Sequence, residues 1–446
     1  MKNLFDEIPR ICSKEICLKE IREEDADAVR EMTENDNVYK YLPTFLFERQ
    51  YSDTKEMIRA LYTERFQPDG SLILGIYLRK ENRFCGIAEV YGYEPLKHKA
   101  CIGYRLKESA WGKGIATEAV GLLTQYLLEE TDIAEIEASV ILGNRSSERV
   151  LEKNGFRRTA VNVKEDWGLG KPDLADHWEL DLVQTAKTDD FSMDWFRFGS
   201  QEKTMVILPG LSVQSVMSSA KDIIDAYRLF AKEYTVYVFE RRKELPVLYT
   251  ICDMANDTVK ILRELGLKDL YLFGASQGGM IGLMIAAQHN DLVRKMVLGS
   301  SAASISGPMR ETLNVWRGLA KQKDAEGLYL SFAEKLYPPE LFETWKEFFR
   351  NASKTVTDEE LARFVRLVDT MENYDAGSVL KDIVCPVLVI GAKDDGVVGP
   401  LAAEELREGI PNAELYVYQE GYGHAAFDTA PDYKERMFRF FGDKTS

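Results

Sequence analysis

Short apolar runs alternate with longer segments of helical periodicity through the second half of this chain, and no other feature restricts its fold so strongly. The apolar runs predict strands at Thr204–Leu208, Thr235–Phe239, Leu270–Phe273, Lys295–Gly299, Val387–Ile390 and Glu414–Val417. The segments between them predict helices at about Ala220–Ala231, Met254–Leu265, Gly278–His289, Leu401–Glu408 and Pro431–Phe441. Strands that alternate regularly with helices form a parallel sheet that is covered by helices on both faces. The second half is therefore expected to adopt an α/β fold.

One interval, residues 304–379, interrupts this alternation. It lacks strand-like runs, has helical periodicity and carries many aromatic side chains, among them Trp316, Tyr329, Phe332, Trp345 and Phe348. We expect it to form a helical cap that is inserted after a strand. Its aromatic residues favour an apolar acyl or aromatic substrate group, although packing within the cap explains each of them equally well.

The first half of the chain mixes strands and helices in a different order. Strands are predicted at Leu72–Leu78, Arg83–Tyr93, Ala100–Leu106 and Glu135–Leu142, and helices at Glu24–Thr33, Thr54–Glu64, Gly114–Glu130 and Arg145–Asn154. The polar stretch Gln184–Asp190 has no hydrophobic periodicity and separates the two halves. Because 446 residues are many for a single core, we expect two domains, at residues 1–185 and 191–446.

The charge and the cysteines narrow the class of protein. The formal net charge is −16 and neither half is basic, which argues against a role on nucleic acids or acidic membranes. We expect neither a signal peptide nor a membrane span, because no apolar run has the required length. The six cysteines form no C-x-x-C pair, so we expect reduced thiols, no metal site and a cytoplasmic protein.

A sharp strand-to-helix turn is predicted at Gly274-Ala275-Ser276-Gln277-Gly278, which has the pattern G-x-S-x-G. A predicted strand ends at its first glycine, and an apolar helix follows its last. Glycines must flank the serine in such a turn, because bulkier side chains would clash. The turn raises the hydroxyl above the edge of the sheet, which makes Ser276 the candidate nucleophile.

A serine hydroxyl needs a base that removes its proton, and the chain has only four histidines. His98 and His177 belong to the first domain, and His289 ends the helix after the serine, so that it points away. His424 follows the last predicted strand of the sheet in a glycine-rich loop. Because such a loop can bring the imidazole over Ser276, we expect His424 to be the base.

A histidine base needs a carboxylate that fixes its tautomer and stabilises its charged form. Asp394 and Asp395 both follow the buried strand Val387–Ile390, at the sheet edge where the serine and the histidine are expected. We favour Asp394, because the acid of such loops usually lies three residues after the glycine at the strand end. Asp395 stays the alternative.

An oxyanion that develops on the substrate needs two N–H donors. Gln277 should provide one, because its N–H follows the nucleophile at the start of a helix. The turn Pro209-Gly210-Leu211 directly follows another strand and should provide the second donor, for which we choose the N–H of Leu211.

These residues resemble the α/β-hydrolase family over the whole second half of the chain. The resemblance implies a catalytic triad of Ser276, Asp394 and His424, in the chain order usual for this fold, and acyl transfer to water through an acyl-enzyme without a cofactor. The chain departs from many relatives at Pro209-Gly210, where His-Gly is common, and at Glu240-Arg241-Arg242, where an Asp and a glycine-rich turn are frequent. Esterase, thioesterase, amidase and aminopeptidase activities all stay open.

A second candidate site is the loop Gly112-Lys113-Gly114-Ile115-Ala116, between a predicted strand and a long predicted helix. Two glycines and an alanine let several backbone N–H groups face one point, where the helix dipole adds to their positive potential. Such a loop can hold a pyrophosphate, although a simple tight turn has a similar composition. A downstream strand that runs into Asn144, followed by a helix and Asn154-Gly155-Phe156, supports the pyrophosphate site.

These segments resemble the GNAT acyltransferase family, an α+β fold, and in particular its branch that acetylates protein N-terminal amines. The resemblance implies that the N–H groups of Gly112, Lys113, Gly114, Ile115 and Ala116 bind the pyrophosphate of acetyl-CoA. Lys113 either adds charge or is solvated. Asn144 would contact the pantetheine arm.

The acid and the base of acetyl transfer are less well marked. Leu151 stands where many GNAT relatives carry a tyrosine that protonates the leaving thiolate, so Ser147, on the same helix face, is the candidate acid. Glu89 interrupts an apolar strand and is either a base for the amine or an ordinary exposed glutamate.

The sequence thus predicts a bifunctional enzyme, an acetyl-CoA-dependent N-acetyltransferase fused to a serine hydrolase. Its partners would be a small acyl substrate and an amine or protein N-terminus, with no nucleic acid and no membrane. A second hypothesis keeps the hydrolase and makes the first domain a module that only binds acyl-CoA or a protein.

Overall fold

In the described part of the chain, the strands form two eight-stranded sheets. The computed structural model describes residues 3–43, 46–168, 173–199 and 201–442. It divides into two compact units, Met1–Leu182 and Val183–Ser446, each with its own sheet. The division falls ahead of the polar stretch that we expected to join the domains.

The first unit is built around a sheet whose described strands are antiparallel except for one parallel pair of neighbouring strands. Its strands are β1 (Ile11–Cys12), β2 (Ile16–Lys19), β3 (Ser71–Leu78), β4 (Arg83–Glu94), β5 (Lys99–Leu106), β6 (Glu135–Ile141), β7 (Phe156–Glu165) and β8 (Asp173–Leu180). Its helices are α1 (Ala26–Thr33), α2 (Asp36–Tyr39), α3 (Thr54–Thr63), α4 (Ile115–Glu130) and α5 (Arg145–Lys153). The strand order is β1-β2-β3-β4-β5-β6-β8-β7.

The parallel pair of this sheet, β5 and β6, is short. Its register begins at Lys99 and Glu135 and ends at Cys101 and Glu137. Both strands continue beyond that point without pairing to each other. The two strands therefore separate toward their carboxyl ends, and the facing backbone groups are left for another partner.

Helix α4 packs on one face of this sheet. Its buried Leu123 and Leu127 belong to the same apolar cluster as Ile102 of β5 and Ile136 of β6. The helix begins directly after Gly114, whose φ of +78° suits glycine rather than a residue with a Cβ. Packing and turn together fix where the N-terminus of α4 points.

The second unit contains the predicted parallel sheet, which is confirmed. Its strands are β9 (Gln184–Lys187), β10 (Ser192–Phe198), β11 (Lys203–Leu208), β12 (Tyr234–Arg242), β13 (Leu270–Ala275), β14 (Val293–Gly299), β15 (Val387–Ala392) and β16 (Ala413–Tyr418). Its helices are α6 (Ala220–Tyr227), α7 (Ile251–Glu264), α8 (Gln277–Gln288), α9 (Gly307–Lys321), α10 (Ala325–Leu336), α11 (Pro339–Ser353), α12 (Asp358–Asp369), α13 (Ala402–Gly409), α14 (Ala426–Thr429) and α15 (Tyr433–Phe441). The strand order is β16-β15-β14-β13-β11-β12-β10-β9.

Strands β11 to β16 are parallel to one another, whereas β9 and β10 form an antiparallel edge. Strand β9 consists of residues that we expected to form part of a structureless seam. Its polar side chains suit an edge strand that is mostly exposed to water, because such a strand buries little apolar surface. The seam is therefore shorter than predicted.

Helices α9 to α12 stand between β14 and β15, in the interval predicted to be a cap. Trp316 is 2% exposed, and its ring lies 4.5 Å from the ring of Phe332 between centroids. Phe332 in turn contacts Phe364 at 6.1 Å. These aromatic residues pack against each other, so the core of the cap accounts for them. Trp345 and Phe348, by contrast, are exposed.

The expectation of reduced cysteines is wrong for one pair. Cys12 and Cys17 face each other in the hairpin of β1 and β2 and form a disulfide. Cys85, Cys101, Cys252 and Cys385 are free. The spacing of the cysteines in the sequence did not indicate this disulfide, because the disulfide depends on the tight turn between two very short strands. No helix in the described part of the chain is long and apolar enough to span a membrane.

Candidate active sites

Ser276 occupies the turn between β13 and α8, with φ +51° and ψ −119°. A residue with a Cβ rarely adopts this conformation, which costs about 1–3 kcal/mol and is characteristic of functional sites. A Cβ at Gly278 would lie 1.9 Å from the carbonyl oxygen of Leu208, and one at Gly274 would lie 2.6 Å from that of Gly278. Both flanking glycines are therefore required, as the G-x-S-x-G pattern predicts.

The backbone of Ser276 is fixed from both sides. Its N–H donates to the carbonyl oxygen of Gly299 at the end of β14, at 2.8 Å. Its own carbonyl oxygen accepts from the hydroxyl of Ser301 at 2.9 Å and from the N–H of Gly279 at 2.9 Å. These contacts hold the strained turn in one conformation, so the hydroxyl stands at the carboxyl edge of the sheet.

His424 is paired with a carboxylate at the same edge. Its Nδ1 lies 2.9 Å from both carboxylate oxygens of Asp395. The two side chains are almost fully buried, with 4% and 2% of their surfaces exposed. The N–H groups of Val397 and Val398 donate to the same carboxylate at 2.9 and 3.0 Å, which fixes its orientation. Asp395 can therefore set the tautomer of His424 and stabilise its charged form.

The preference for Asp394 is corrected by this contact. Asp394 instead accepts hydrogen bonds from the N–H groups of Gly421, Tyr422 and Gly423, at 2.8 to 3.2 Å. It therefore shapes the loop that carries the histidine without contacting the imidazole. Strand β15 continues to Ala392 instead of ending two residues earlier, and this longer strand brings the next aspartate to the histidine.

Strands β13, β15 and β16 run parallel, so the loops after them emerge at one edge of the sheet. This topology places Ser276, Asp395 and His424 on the same edge. Within the described residues, the hydroxyl of Ser276 makes no hydrogen bond to His424. The pair of histidine and aspartate is thus already formed, and its link to the serine is not.

The two predicted oxyanion donors flank Ser276. A Cβ at Gly210 would lie 3.2 Å from Cβ and 3.9 Å from Oγ of Ser276, so this turn runs directly beside the hydroxyl. Gln277 is the first residue of α8. Among the residues that the structure describes, neither the N–H of Leu211 nor that of Gln277 donates to a protein group. Two N–H groups are therefore available next to the serine.

The first unit carries the second site, at the N-terminus of α4. Gly112 and Gly114 have φ of +71° and +78°. In the described part of the chain, the N–H groups from Gly112 through Thr117 donate to no protein group. Successive free N–H groups at a helix N-terminus form an anion-binding site.

A cavity of about 620 Å³ opens in front of these N–H groups. It is lined by Gly112, Gly114, Ile115, Ala116, Asn144 and Ser147 from the prediction, and by Tyr104 from β5. The side chain of Lys113 is not part of this lining, and its ammonium group donates to the carbonyl oxygen of Ser109 at 2.7 Å. The side chain of Asn144 caps α5 by accepting from the N–H of Ser147 at 3.2 Å.

Tyr104 was missed by the sequence analysis. Its hydroxyl lies 2.8 Å from the hydroxyl of Ser147, and burial raises the pKa of Tyr104 to about 12. Tyr104 lies two residues after the buried Ile102 on β5, so both side chains project from the same face of the strand, on which the Tyr104 hydroxyl reaches α5. The sequence could have indicated it, because this tyrosine lies near the end of a predicted strand in which every second residue is apolar. Leu151, in contrast, is fully buried in the core.

Glu89 does not line the cavity. Its carboxylate accepts from the guanidinium of Arg105 at 2.9 Å, and Arg105 is also paired with Glu48 at 2.5 Å. The ion pair of Glu89 with Arg105 occupies one of the carboxylate oxygens that a base would present to an amine. The observed contacts favour a structural role for Glu89.

A second unpredicted cluster surrounds Glu165. Its carboxylate accepts from the hydroxyl of Ser139 at 2.9 Å and from the indole N–H of Trp167 at 2.8 Å, and it contacts Nε2 of His177. Ser139 faces His177 in the pairing of β6 with β8. Since Ser139 also lies just beyond the last pair of β6 with β5, this cluster borders the gap between those strands.

Comparisons with known proteins agree with the two sites. A family model described as acetyltransferase (GNAT) domain matches residues 15–157, and one described as alpha/beta hydrolase fold matches residues 203–431. The second half is similar to a protein named "Putative carbamate hydrolase RutD" from Serratia proteamaculans, with 28% identity over 43% of this chain and 73% of the relative. The protein of that name from Pseudomonas syringae is 27% identical over 53% of this chain and 93% of its own length.

Solved structures show the same fold for the second half. MGS-M2, an alpha/beta hydrolase enzyme from a Medee basin deep-sea metagenome library, matches 59% of this chain and 98% of its own, with a TM-score of 0.54 and 22% identity. The enol-lactonase from Burkholderia xenovorans matches 58% of this chain and 99% of its own, with a TM-score of 0.51 and 17% identity. The chain therefore belongs to the α/β-hydrolase fold family, and it carries a GNAT acetyltransferase domain ahead of its hydrolase domain.

Proposed function

We propose that the chain is a bifunctional enzyme, in which an acetyl-CoA-dependent N-acetyltransferase is fused to a serine hydrolase that acts on a small ester, thioester or amide. The observation that carries the hydrolase proposal is the buried pair of His424 and Asp395 at the sheet edge that bears the strained Ser276. A strained serine beside two free N–H groups has the geometry that acyl transfer requires.

The chemistry follows from these positions. Nε2 of His424 takes the proton of the Ser276 hydroxyl while the serine oxygen bonds to the substrate carbonyl carbon. The N–H groups of Leu211 and Gln277 stabilise the resulting oxyanion, and Asp395 stabilises the imidazolium. His424 then gives its proton to the leaving group as the scissile bond breaks. Water repeats the same steps on the acyl-enzyme and releases the acid.

Carbamates should be tested as substrates, because the similar proteins are named putative carbamate hydrolases. A carbamate carbonyl is flanked by oxygen and nitrogen, and its hydrolysis needs the same nucleophile and oxyanion donors as that of an ester or amide. The most direct test combines fluorophosphonate labelling of the whole chain with hydrolysis of nitrophenyl esters, thioesters, aminoacyl amides and carbamates. We expect labelling and turnover in the wild type and neither in Ser276→Ala. An unlabelled wild type that hydrolyses none of these compounds would refute the hydrolase proposal.

The residues of the first unit fit acetyl-CoA. The free N–H groups from Gly112 through Thr117 would hold its pyrophosphate, and the gap between β5 and β6 leaves backbone groups for its pantetheine arm. Bound there, acetyl-CoA would supply an acetyl group that passes to an amine, while its thiol leaves. Tyr104, held against Ser147, is the proton donor of the cavity, because burial keeps its hydroxyl protonated.

The acceptor is proposed to be an amine, such as a protein N-terminus. The pair of His177 and Glu165 is a second candidate for taking its proton, because Ser139, which donates to the Glu165 carboxylate, lies beside the gap between β5 and β6. The Glu89 carboxylate is already paired with the guanidinium of Arg105, which argues against Glu89 as this base.

The alternative, a domain that only binds acyl-CoA or a protein, is favoured by one observation. The helix position that many GNAT relatives fill with a tyrosine is a fully buried leucine, Leu151. Calorimetry with acetyl-CoA, followed by a thiol-release assay with peptides and small amines, separates the two functions. Binding together with amine-dependent thiol release supports the transferase, whereas binding without release across the panel supports the alternative.

A further inference from the structure

Arg241, at the end of β12, is buried directly behind the oxyanion donors. Only 4% of its surface is exposed. A single nitrogen, Nη2, lies 2.7 Å from the carbonyl oxygen of Pro209 and 2.8 Å from that of Gly210. The same nitrogen lies 2.8 Å from the side-chain oxygen of Gln277. One guanidinium therefore joins both segments that carry the predicted donors.

Because the peptide bond is planar, these contacts fix the direction of the Leu211 N–H. The bond between Gly210 and Leu211 is a planar trans peptide, so its C=O and N–H point in opposite directions. Because the carbonyl oxygen of Gly210 is held toward Arg241, the N–H of Leu211 must point away from Arg241. The orientation of the N–H that flanks Ser276 is thus set by a buried side chain on a neighbouring strand.

The cap completes this connection. The side-chain nitrogen of Gln277 donates to the carbonyl oxygen of Leu367 at 3.1 Å and contacts the hydroxyl of Thr370 at 3.4 Å. Leu367 belongs to α12 of the cap, and Thr370 directly follows that helix. Arg241 therefore links the cap to the turn beside the nucleophile through one glutamine side chain.

We propose that Arg241 is a positioning residue that orients the N–H of Leu211 for the oxyanion, and that Gln277 ties this orientation to the place of α12. This inference rests on the proposed hydrolase function. A cation that binds several carbonyl oxygens fixes peptide planes more firmly than a neutral donor does, because charge-assisted hydrogen bonds are stronger. Lysine, with one compact ammonium group, cannot reproduce the planar guanidinium.

The test compares Arg241→Met and Arg241→Lys with the wild type in the full chain, with 4-nitrophenyl butyrate as substrate and butylboronic acid as an analogue of the tetrahedral intermediate. We expect kcat to fall about 100-fold for methionine and about tenfold for lysine, because a displaced donor loses most of its effect. KM should change less than about threefold, since ground-state binding does not use the oxyanion donors. The affinity for the boronic acid should fall in parallel with kcat.

Arg366→Met is the matched control. Arg366 lies on the same helix α12 and donates to the carbonyl oxygen of Leu245 at 3.0 Å, so it anchors the cap without contacting the oxyanion turn. Its kcat and its affinity for the boronic acid should stay within about twofold of the wild type. If this control loses as much as Arg241→Met, cap anchoring in general is responsible and the inference is wrong.

Two further outcomes decide the question. Unchanged kcat in Arg241→Met, or a rise in KM without a loss of boronic acid affinity, would overturn the inference and leave the hydrolase proposal intact. An inactive and unlabelled wild type would refute the hydrolase proposal itself. If the methionine variant does not fold, Arg241→Lys carries the test, and its parallel loss of kcat and boronic acid affinity supports the inference.

Discussion

The two sites of this chain are built by different means. The proposed hydrolase site depends on side chains from three loops, in which hydrogen bonds hold the buried His424 and Asp395 and the backbone of Ser276. The proposed site of the first unit depends mainly on backbone N–H groups that donate to no protein group in the described part of the chain, beside a cavity of about 620 Å³. Side-chain sites are sensitive to which residue of a pair faces inward, whereas backbone sites are sensitive to turn conformation. Different substitutions should therefore disable each site.

The largest effect should be the difference in kcat/KM between substitutions of the adjacent Asp395 and Asp394 in the hydrolase domain. Asp395→Asn should lower kcat/KM about 10⁴-fold, because the amide favours the wrong tautomer of His424. Asp394→Asn should lower kcat/KM less than tenfold, since Asp394 contacts only the backbone of the histidine loop. Ester hydrolysis by both variants, with unfolding in urea as the control for stability, measures this difference. Equal losses in the two variants would contradict the assignment of Asp395.

In the first unit, removal of the Tyr104 hydroxyl should have the next largest effect. Tyr104→Phe should lower the rate of acetyl transfer about 100-fold, because the cavity loses its proton donor. The affinity for acetyl-CoA and the hydrolysis of esters should not change. Burial raises the pKa of Tyr104 to about 12, so its hydroxyl stays neutral as the pH rises. At every pH below about 10, the wild-type rate should therefore show no decrease that is caused by loss of this proton. A thiol-release assay across pH measures both effects, and a full rate in Tyr104→Phe would exclude this role.

The smallest effect should follow from a single backbone angle. Gly112→Ala places a Cβ at φ +71°, where it meets no atom within 4 Å, so strain rather than a clash opposes the native turn. This strain is about 1–2 kcal/mol, which should weaken acetyl-CoA binding about tenfold in calorimetry. Gly266→Ala is the matched control, because its φ of +70° and open surroundings impose the same strain in the second unit. A similar loss of acetyl-CoA affinity in this control would show that general destabilisation is responsible.

Features that depend on local periodicity were predictable. The strands and helices of the second half follow from apolar runs, and the turn at Ser276 follows from the spacing of glycines. Both signals act over a few residues, so a single sequence contains them. The loop from Gly112 to Ala116 belongs to the same class.

Features that depend on pairing between distant segments were not predictable. The choice of Asp395 over its neighbour depends on where β15 ends against β16. The contact of Arg241 with the turn beside Ser276 joins two strand ends, and the disulfide of Cys12 with Cys17 needs a hairpin that the periodicity did not reveal. In each case the missing information is a register or a loop path, which only the folded sheet defines.

The edge strand β9 has a practical consequence for anyone who separates the two halves. Its residues Gln184–Lys187 cover the outer side of β10, which carries Trp195, Phe196 and Phe198. A recombinant second half that starts at Phe191 would leave the N–H and C=O groups of this aromatic strand open to other molecules, a known route to aggregation. A cut between Leu182 and Val183 keeps the protective strand with its sheet.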